Sequence, residues 1–264
     1  MAADKLFRYH QNLYVLDNQR AYRQEVVRYL NLIAGTYSGR TLLNSIYARG
    51  RRLVIVPYVP TAKDPINAYA QFDNVLDATT KDFPVMGTIQ VPGYGSIPVP
   101  TQWIGSGAGS TVTLKYHPAV FRQYVANKHR IDPGAGPGEI LFHEMVHAMR
   151  MIHGKFLRTA VTEDAGMDDF EEFCAILAAN IYRSERGFSQ LRTNHHDFKA
   201  LGKDLSKPQA YYSYFMDEID LWFTSQKAFC LELAASNAPF NPLKYAAAAL
   251  GMPVRTSMAL PAGR

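Results

Sequence analysis

Cysteine is scarce: the 264 residues contain two, Cys174 and Cys230. That excludes a disulfide scaffold and any cysteine-based zinc cluster. Both lie in helical-looking apolar stretches, where a small buried thiol is the simplest use. No apolar run approaches the roughly 18 residues that a membrane span needs. The start of the chain, Met1-Ala-Ala-Asp-Lys-Leu-Phe-Arg-Tyr-His10, has no apolar segment of the Sec-signal kind. The expectation is a cytoplasmic protein, or one exported by a specialised machine that reads no such signal. Charge is not concentrated either. The net is +5, and the densest basic cluster is Arg49-Gly-Arg51-Arg52. Without a basic stripe and interleaved stacking aromatics, no nucleic-acid partner is expected. There are no internal repeats and no long low-complexity segments.

What is present is ordinary globular composition, 47% apolar and 19% charged. The length allows one large domain, read as 1–264, with an N-terminal α/β lobe over 1–130 and a helical lobe over 131–264. The expected class is α+β, with a small mixed sheet in the first lobe. Spacing predicts a helix over 11–35, a loop at 35–39, a short helix over 41–48 and a buried strand over 53–58. Residues 59–110 are rich in Gly, Pro, Asp, Asn and Ser, with short strands expected at 85–91 and 97–99. Thr111–Tyr116 alternates, placing Val112, Leu114 and Tyr116 on one face. Helices are predicted over 139–152, 168–186 and 208–236, the first ending at Gly154.

The 139–152 helix is apolar almost all round, apart from His143-Glu144-Met145-Val146-His147. Histidines four apart share a helix face, so both imidazoles can hold one metal ion, with Glu144 beside it as the base for a water. Placing three polar groups in so apolar a helix is costly unless they act together. A catalytic zinc site takes a third protein ligand and keeps a position open. His153 occupies the place of a third histidine in H-E-x-x-H-x-x-G-x-x-H, but Arg150 stands where that pattern needs glycine to turn the chain back. In a continuing helix His153 faces away. Glu171 and Glu172 on the next helix are the other candidates. Glu172 is favoured because Ala175 and Ala179 on its side permit close helix packing.

The stretch His143-Glu-x-x-His147-Ala148 … Gly154, followed by Glu171-Glu172-x-x-Ala175 … Asn180-x-x-Arg183-x-Glu185-x-Gly187, resembles the NleD-type zinc metallopeptidases, bacterial effector proteases and related toxin domains. The likeness is good over 139–192, faint upstream at Gly39-Arg-Thr-Leu-Leu43 and the 53–58 strand, and absent after 195. Met145 stands where the pattern has leucine. Ala179 stands where toxin-domain members often carry glutamate. The resemblance implies a zincin-like metallopeptidase with one Zn2+ per chain held by His143, His147 and Glu172. It implies Glu144 as base and marks Asn180 and Arg183 as supporting the site. It also implies a protein substrate in a host or competitor cell, and a secretion-machine component or immunity protein as a further partner.

Zinc-assisted peptide hydrolysis wants a further donor for the charge that develops on the carbonyl oxygen. Arg183, Tyr182, His195, His196, Tyr211, Tyr212 and Tyr214 are the candidates, Arg183 foremost. The 111–116 strand is expected to be the sheet edge along which an extended substrate pairs. Two readings compete with a zinc endopeptidase: a non-catalytic interaction protein stabilised by zinc, and a zinc hydrolase of a non-peptide bond.

Overall fold

A computed structural model of the chain describes residues 5–91, 95–128, 132–161, 166–194 and 198–254. In chain order the elements are β1 (Leu6–His10), β2 (Leu13–Leu16), α1 (Arg20–Ala34), α2 (Tyr37–Tyr47), β3 (Leu53–Val56), β4 (Tyr69–Phe72), α3 (Val75–Ala78), β5 (Pro84–Val91), β6 (Gly95–Ile104) and β7 (Val112–Lys115). Helices follow: α4 (Pro118–Ala126), α5 (Pro137–Ile152), α6 (Phe170–Glu185), α7 (Pro208–Tyr214), α8 (Met216–Ser225), α9 (Lys227–Ala234) and α10 (Leu243–Ala249). The class is α+β, as the composition and spacing suggest.

The main sheet has five strands in the order β1-β2-β3-β7-β4. β2, β3 and β7 are mutually parallel, while β1 and β4 pair antiparallel at the two ends. Leu13, Val15, Leu53, Ile55, Val112 and Leu114 alternate inward and are fully buried, the period-2 pattern of a sheet packed on one face. The helix predicted over 11–35 is therefore corrected: Leu13–Leu16 is a strand, and α1 starts only at Arg20. Over so short a run Leu13 and Val15 fit a period of 2 while Leu13 and Leu16 fit a helix face, and the polar Asp17-Asn18-Gln19 break separates the elements. α2 likewise begins at Tyr37, inside the expected loop, with Thr36 accepting from the Gly39 N–H at 3.0 Å. Gly39 must be glycine, because a Cβ there would lie 1.8 Å from the Ile33 carbonyl oxygen.

A further correction concerns the sheet edge. β7 lies between β3 and β4, so the edge strand on that side of the sheet is β4, as β1 is on the other. Its sequence, Tyr-Ala-Gln-Phe, has no clear alternation and sits in a turn-rich stretch, which hid it. The hairpin β5–β6 forms a separate two-stranded sheet. It belongs to a stretch, Phe83 to Leu114, without a single charged residue. Pro98 and Pro100 sit two apart on β6, opposite Thr88 and Met86. The long helix predicted over 208–236 is three helices, broken at Phe215 and Gln226, whose backbones leave the helical region.

α5 is buried from Gly138 to Ile152. It packs on β4 and β7 on one side and on α1, α2 and α6 on the others. Pro137 opens it, and the Glu139 carboxylate reaches back to accept from the Gly136 N–H. α6 opens with Asp169, whose carboxylate accepts from the Glu171 and Glu172 N–H groups at 2.9 and 3.1 Å. Two buried ion pairs tie these helices antiparallel. At one end Arg150 holds both oxygens of Glu171 at 2.8 Å; at the other Arg183 pairs with Glu139.

Replacing one member of a buried pair strands the other charge. Arg150→Met is expected to cost about 3–5 kcal/mol in urea unfolding, with Arg150→Met/Glu171→Leu recovering much of it. A single substitution costing under about 1 kcal/mol would show that the pair does not hold the helices.

Candidate metal centre

Residues 143 and 147, one turn apart on α5, turn their imidazoles to the same point. Their Nε2 atoms are 3.1 Å apart. Glu172, in the first turn of α6, meets both: its carboxylate lies 3.2 Å from His143 Nε2 and 3.3 Å from His147 Nε2. The Asp169 cap that starts α6 fixes where Glu172 emerges, and Ala175, Ala178 and Ala179 are all buried.

These three residues could hold a metal ion. Zinc bonds of about 2.0–2.2 Å in a tetrahedron set neighbouring ligand atoms about 3.4 Å apart, which the observed separations match. Two imidazole nitrogens and one carboxylate are also a donor set that suits zinc. The electrostatics agree. Burial favours neutral imidazole, and His143 is pushed down to about 3. Burial acts the same way on His147, but the neighbouring Glu172 carboxylate outweighs it and lifts that imidazole to about 9. Glu172 is itself held well below the usual carboxylate range by His147, against its burial. A buried anion here draws positive charge towards itself, which a divalent cation supplies.

Glu144 lies beside the cluster, its carboxyl pushed by burial up to about 8, with the Ala70 N–H of β4 favouring the charged form. It lines two hollows of about 300 Å3 each. One runs past His143, Phe121 and Arg192; the other runs past His147, Tyr69 and Glu172. Asn67 and Ala68 line both, so the segment entering the edge strand forms one wall of a cleft with Glu144 at its middle.

The other candidate ligands are committed elsewhere. His153 faces α2, donating from Nε2 to the Ser45 carbonyl at 2.8 Å, with Arg49 Nε 3.4 Å from its Nδ1. Both Glu171 oxygens are bound by Arg150, and one also accepts from the Leu157 N–H at 2.6 Å.

Arg183, expected at the reacting centre, lines neither hollow. It stands three turns from Glu172 along α6, about 16 Å of helix axis, with its guanidinium on Glu139 and the Gln190 carbonyl. The rest of Asn180-x-x-Arg183-x-Glu185-x-Gly187 is also framework. Asn180 donates to the Arg192 carbonyl and accepts from the Arg192 N–H, both at 2.8 Å. Glu185 accepts from the Ser38 N–H at 2.9 Å at the start of α2. Gly187 has the positive φ, 84°, that ends α6. Tyr182 stacks on Phe142 at 4.3 Å, Tyr211 packs against Phe215 and Phe240, Tyr212 faces Asp220, and Tyr214 is exposed. His195 and His196 lie outside the described residues.

The residue that sequence reasoning missed is Arg192. It is 3% exposed, lines the hollow with His143 and Glu144, and burial pushes its guanidinium down to about 10. Its backbone is fixed by Asn180 and its side chain lies over Phe198 at 4.5 Å. A lone arginine in a turn-rich stretch carries no spacing signal; Asn180, which the motif does mark, was the available pointer.

The family model Peptidase_M91, described as an effector protein, matches residues 11–195. The chain belongs to this family. The match includes the whole of α5 and α6, and it is the NleD-like group that the motifs resemble. Among curated proteins none matches the chain. Membership makes it a peptidase-family effector, and no helix among the described residues is long and apolar enough to cross a membrane.

Replacement of His143, His147 or Glu172 by Ala is expected to weaken zinc binding, measured by competition with a chromophoric chelator, beyond the roughly 10–100-fold that outer-shell changes cost. His153→Ala should leave it nearly unchanged. Strong zinc binding by the Glu172→Ala protein would remove that residue from the ligand set.

Proposed function

We propose that the chain is a zinc-dependent endopeptidase that cleaves protein substrates, an effector exported by a specialised secretion machine towards a host or competitor cell. In this reading residues 1–264 form one zincin-like catalytic domain with one Zn2+ on His143, His147 and Glu172. The observation that carries the reading is the placement of this cluster and Glu144 in a cleft walled by an open sheet edge. β4 pairs with β7 on one side only, so an extended substrate can add to it by main-chain hydrogen bonds. Such pairing suits a polypeptide and offers nothing comparable to a small ester or sugar.

When bound, zinc polarises the scissile carbonyl and acidifies a water. Glu144 is the base. It accepts a proton from that water as the oxygen bonds to the carbonyl carbon, and delivers it to the amine as the carbon–nitrogen bond breaks. A carboxyl at about 8 is largely protonated at neutral pH; a dication beside it lowers that value and frees it to act. Arg192 supplies a fixed positive group on the same side of the cleft for the charge that gathers on the carbonyl oxygen. Its burial matters, because a guanidinium screened from water acts more strongly on that charge.

Zinc-loaded protein and its Glu144→Gln variant, incubated with a peptide library and read by mass spectrometry, test the proposal. Wild type should cut internal peptide bonds. The variant should keep zinc and lose cleavage by about 10²–10⁴-fold, because an amide cannot take the proton. Zinc-loaded wild type that cuts no peptide in the library would favour a non-catalytic, zinc-stabilised role.

Arg192→Gln is expected to lower kcat by roughly 10²–10³-fold with little change in KM, the pattern of a contact made in the transition state. Arg192→Lys should restore part of the loss. An Arg192→Gln enzyme that differs from wild type in KM alone would place the residue in ground-state binding.

A further inference from the structure

A second cavity, larger than either hollow of the cleft at about 530 Å3, lies at the other end of α5. Its walls are the end of α2, the residues after α5, and the first turns of α9. Arg49, Lys155 and Lys227 line it together with His153. Among the described residues none of these three cations forms an ion pair. One carboxylate, Glu232, also lines the cavity, and it accepts from the Tyr37 hydroxyl at 3.1 Å. Phe229, Ala48 and Ala228 supply apolar wall.

This arrangement asks for an occupant. Three cations and one carboxylate leave the lining net positive, in a concavity of the size that small molecules fill. His153 does not add a fourth charge, since burial and the adjoining Arg49 and Lys155 push its imidazole down. It donates to the Ser45 carbonyl instead. The first turn of α9 lines the cavity, and no side chain caps that helix. Its N–H groups reinforce the positive field that the lysines and arginine create. The Arg49 cluster and His153 stand out in the sequence, and the peptidase reading uses neither.

We propose that this cavity is a binding site for a small organic anion, a phosphate, sulfonate or carboxylate on an apolar or aromatic body. The charged group meets Arg49, Lys155 and Lys227, and the body lies on Phe229 and the alanines. The site is separate from the metal cleft and does not depend on how the cleft is used.

Anilinonaphthalene sulfonate joins an anion to an apolar body and reports binding by fluorescence. Titrated into the zinc-loaded full chain, it is expected to bind at one saturable site. The Lys155→Glu/Lys227→Glu protein should bind it at least about tenfold more weakly, a change of about 1.4 kcal/mol. Ala228→Trp, on an exposed position of the wall, should block the site by filling it, with circular dichroism checking that each variant folds. A peptide hydroxamate that occupies the metal cleft should leave the probe bound. Equal affinity in wild type and both variants, or displacement by the hydroxamate, would overturn the proposal.

Discussion

The structure depends on the register between two buried helices. Arg150–Glu171 and Glu139–Arg183 sit at opposite ends of the antiparallel α5–α6 pair. Each pair had to leave water, so neither is a cheap source of stability. What they supply is position. A slide of one helix by a single residue would break both pairs and leave four buried charges without their counter-charges. With that register held, Glu172 meets His143 and His147 between the two clamps. The alanines of α6 let the backbones approach, and the ion pairs set where along the axis they do so.

The Arg150 network reaches further. Its Nη1 donates to the Gln226 side chain at 2.6 Å, and the same oxygen accepts from Trp222 Nε1 at 2.9 Å. Gln226 marks the break between α8 and α9 and lines the basic cavity. One arginine therefore links Glu171 at the start of α6, the Lys155 carbonyl after α5, and Gln226 at the α8–α9 break. It stands where a turning glycine would route the chain towards a histidine, and the carboxylate that meets His143 and His147 comes from a different helix.

Legibility in the sequence followed the strength of periodic and chemical signals. α5 and α6 were readable because long apolar faces carry many repeats of one period, and the HExxH spacing is a chemical pattern on top of it. The strand at Leu13–Leu16 was not, since four residues cannot separate a period of 2 from one of 3.6. β4 was missed because an edge strand is half exposed and need not alternate. The Gln226 side chain, at the break between α8 and α9, is held by Arg150 76 positions away, a contact that no local window contains. Arg192 belongs to the same class: it is placed by Asn180, and only the fold brings it to Glu144. A place in a motif does not by itself say whether a residue touches the reaction or holds the frame, and the Arg183 guanidinium sits on Glu139 and the Gln190 carbonyl.

The two sheets treat their open edges differently. Successive N–H groups of a strand point to opposite sides, so Pro98 and Pro100, two apart on β6, remove donors from the same side. In a stretch with no charge from Phe83 to Leu114, self-association cannot be discouraged by repulsion, and the prolines take that duty. β4 has no proline across Tyr69–Phe72, and its main-chain donors and acceptors are intact. The hairpin is therefore guarded against stray strand pairing on that side, while β4, the edge that walls the cleft, is left open to it.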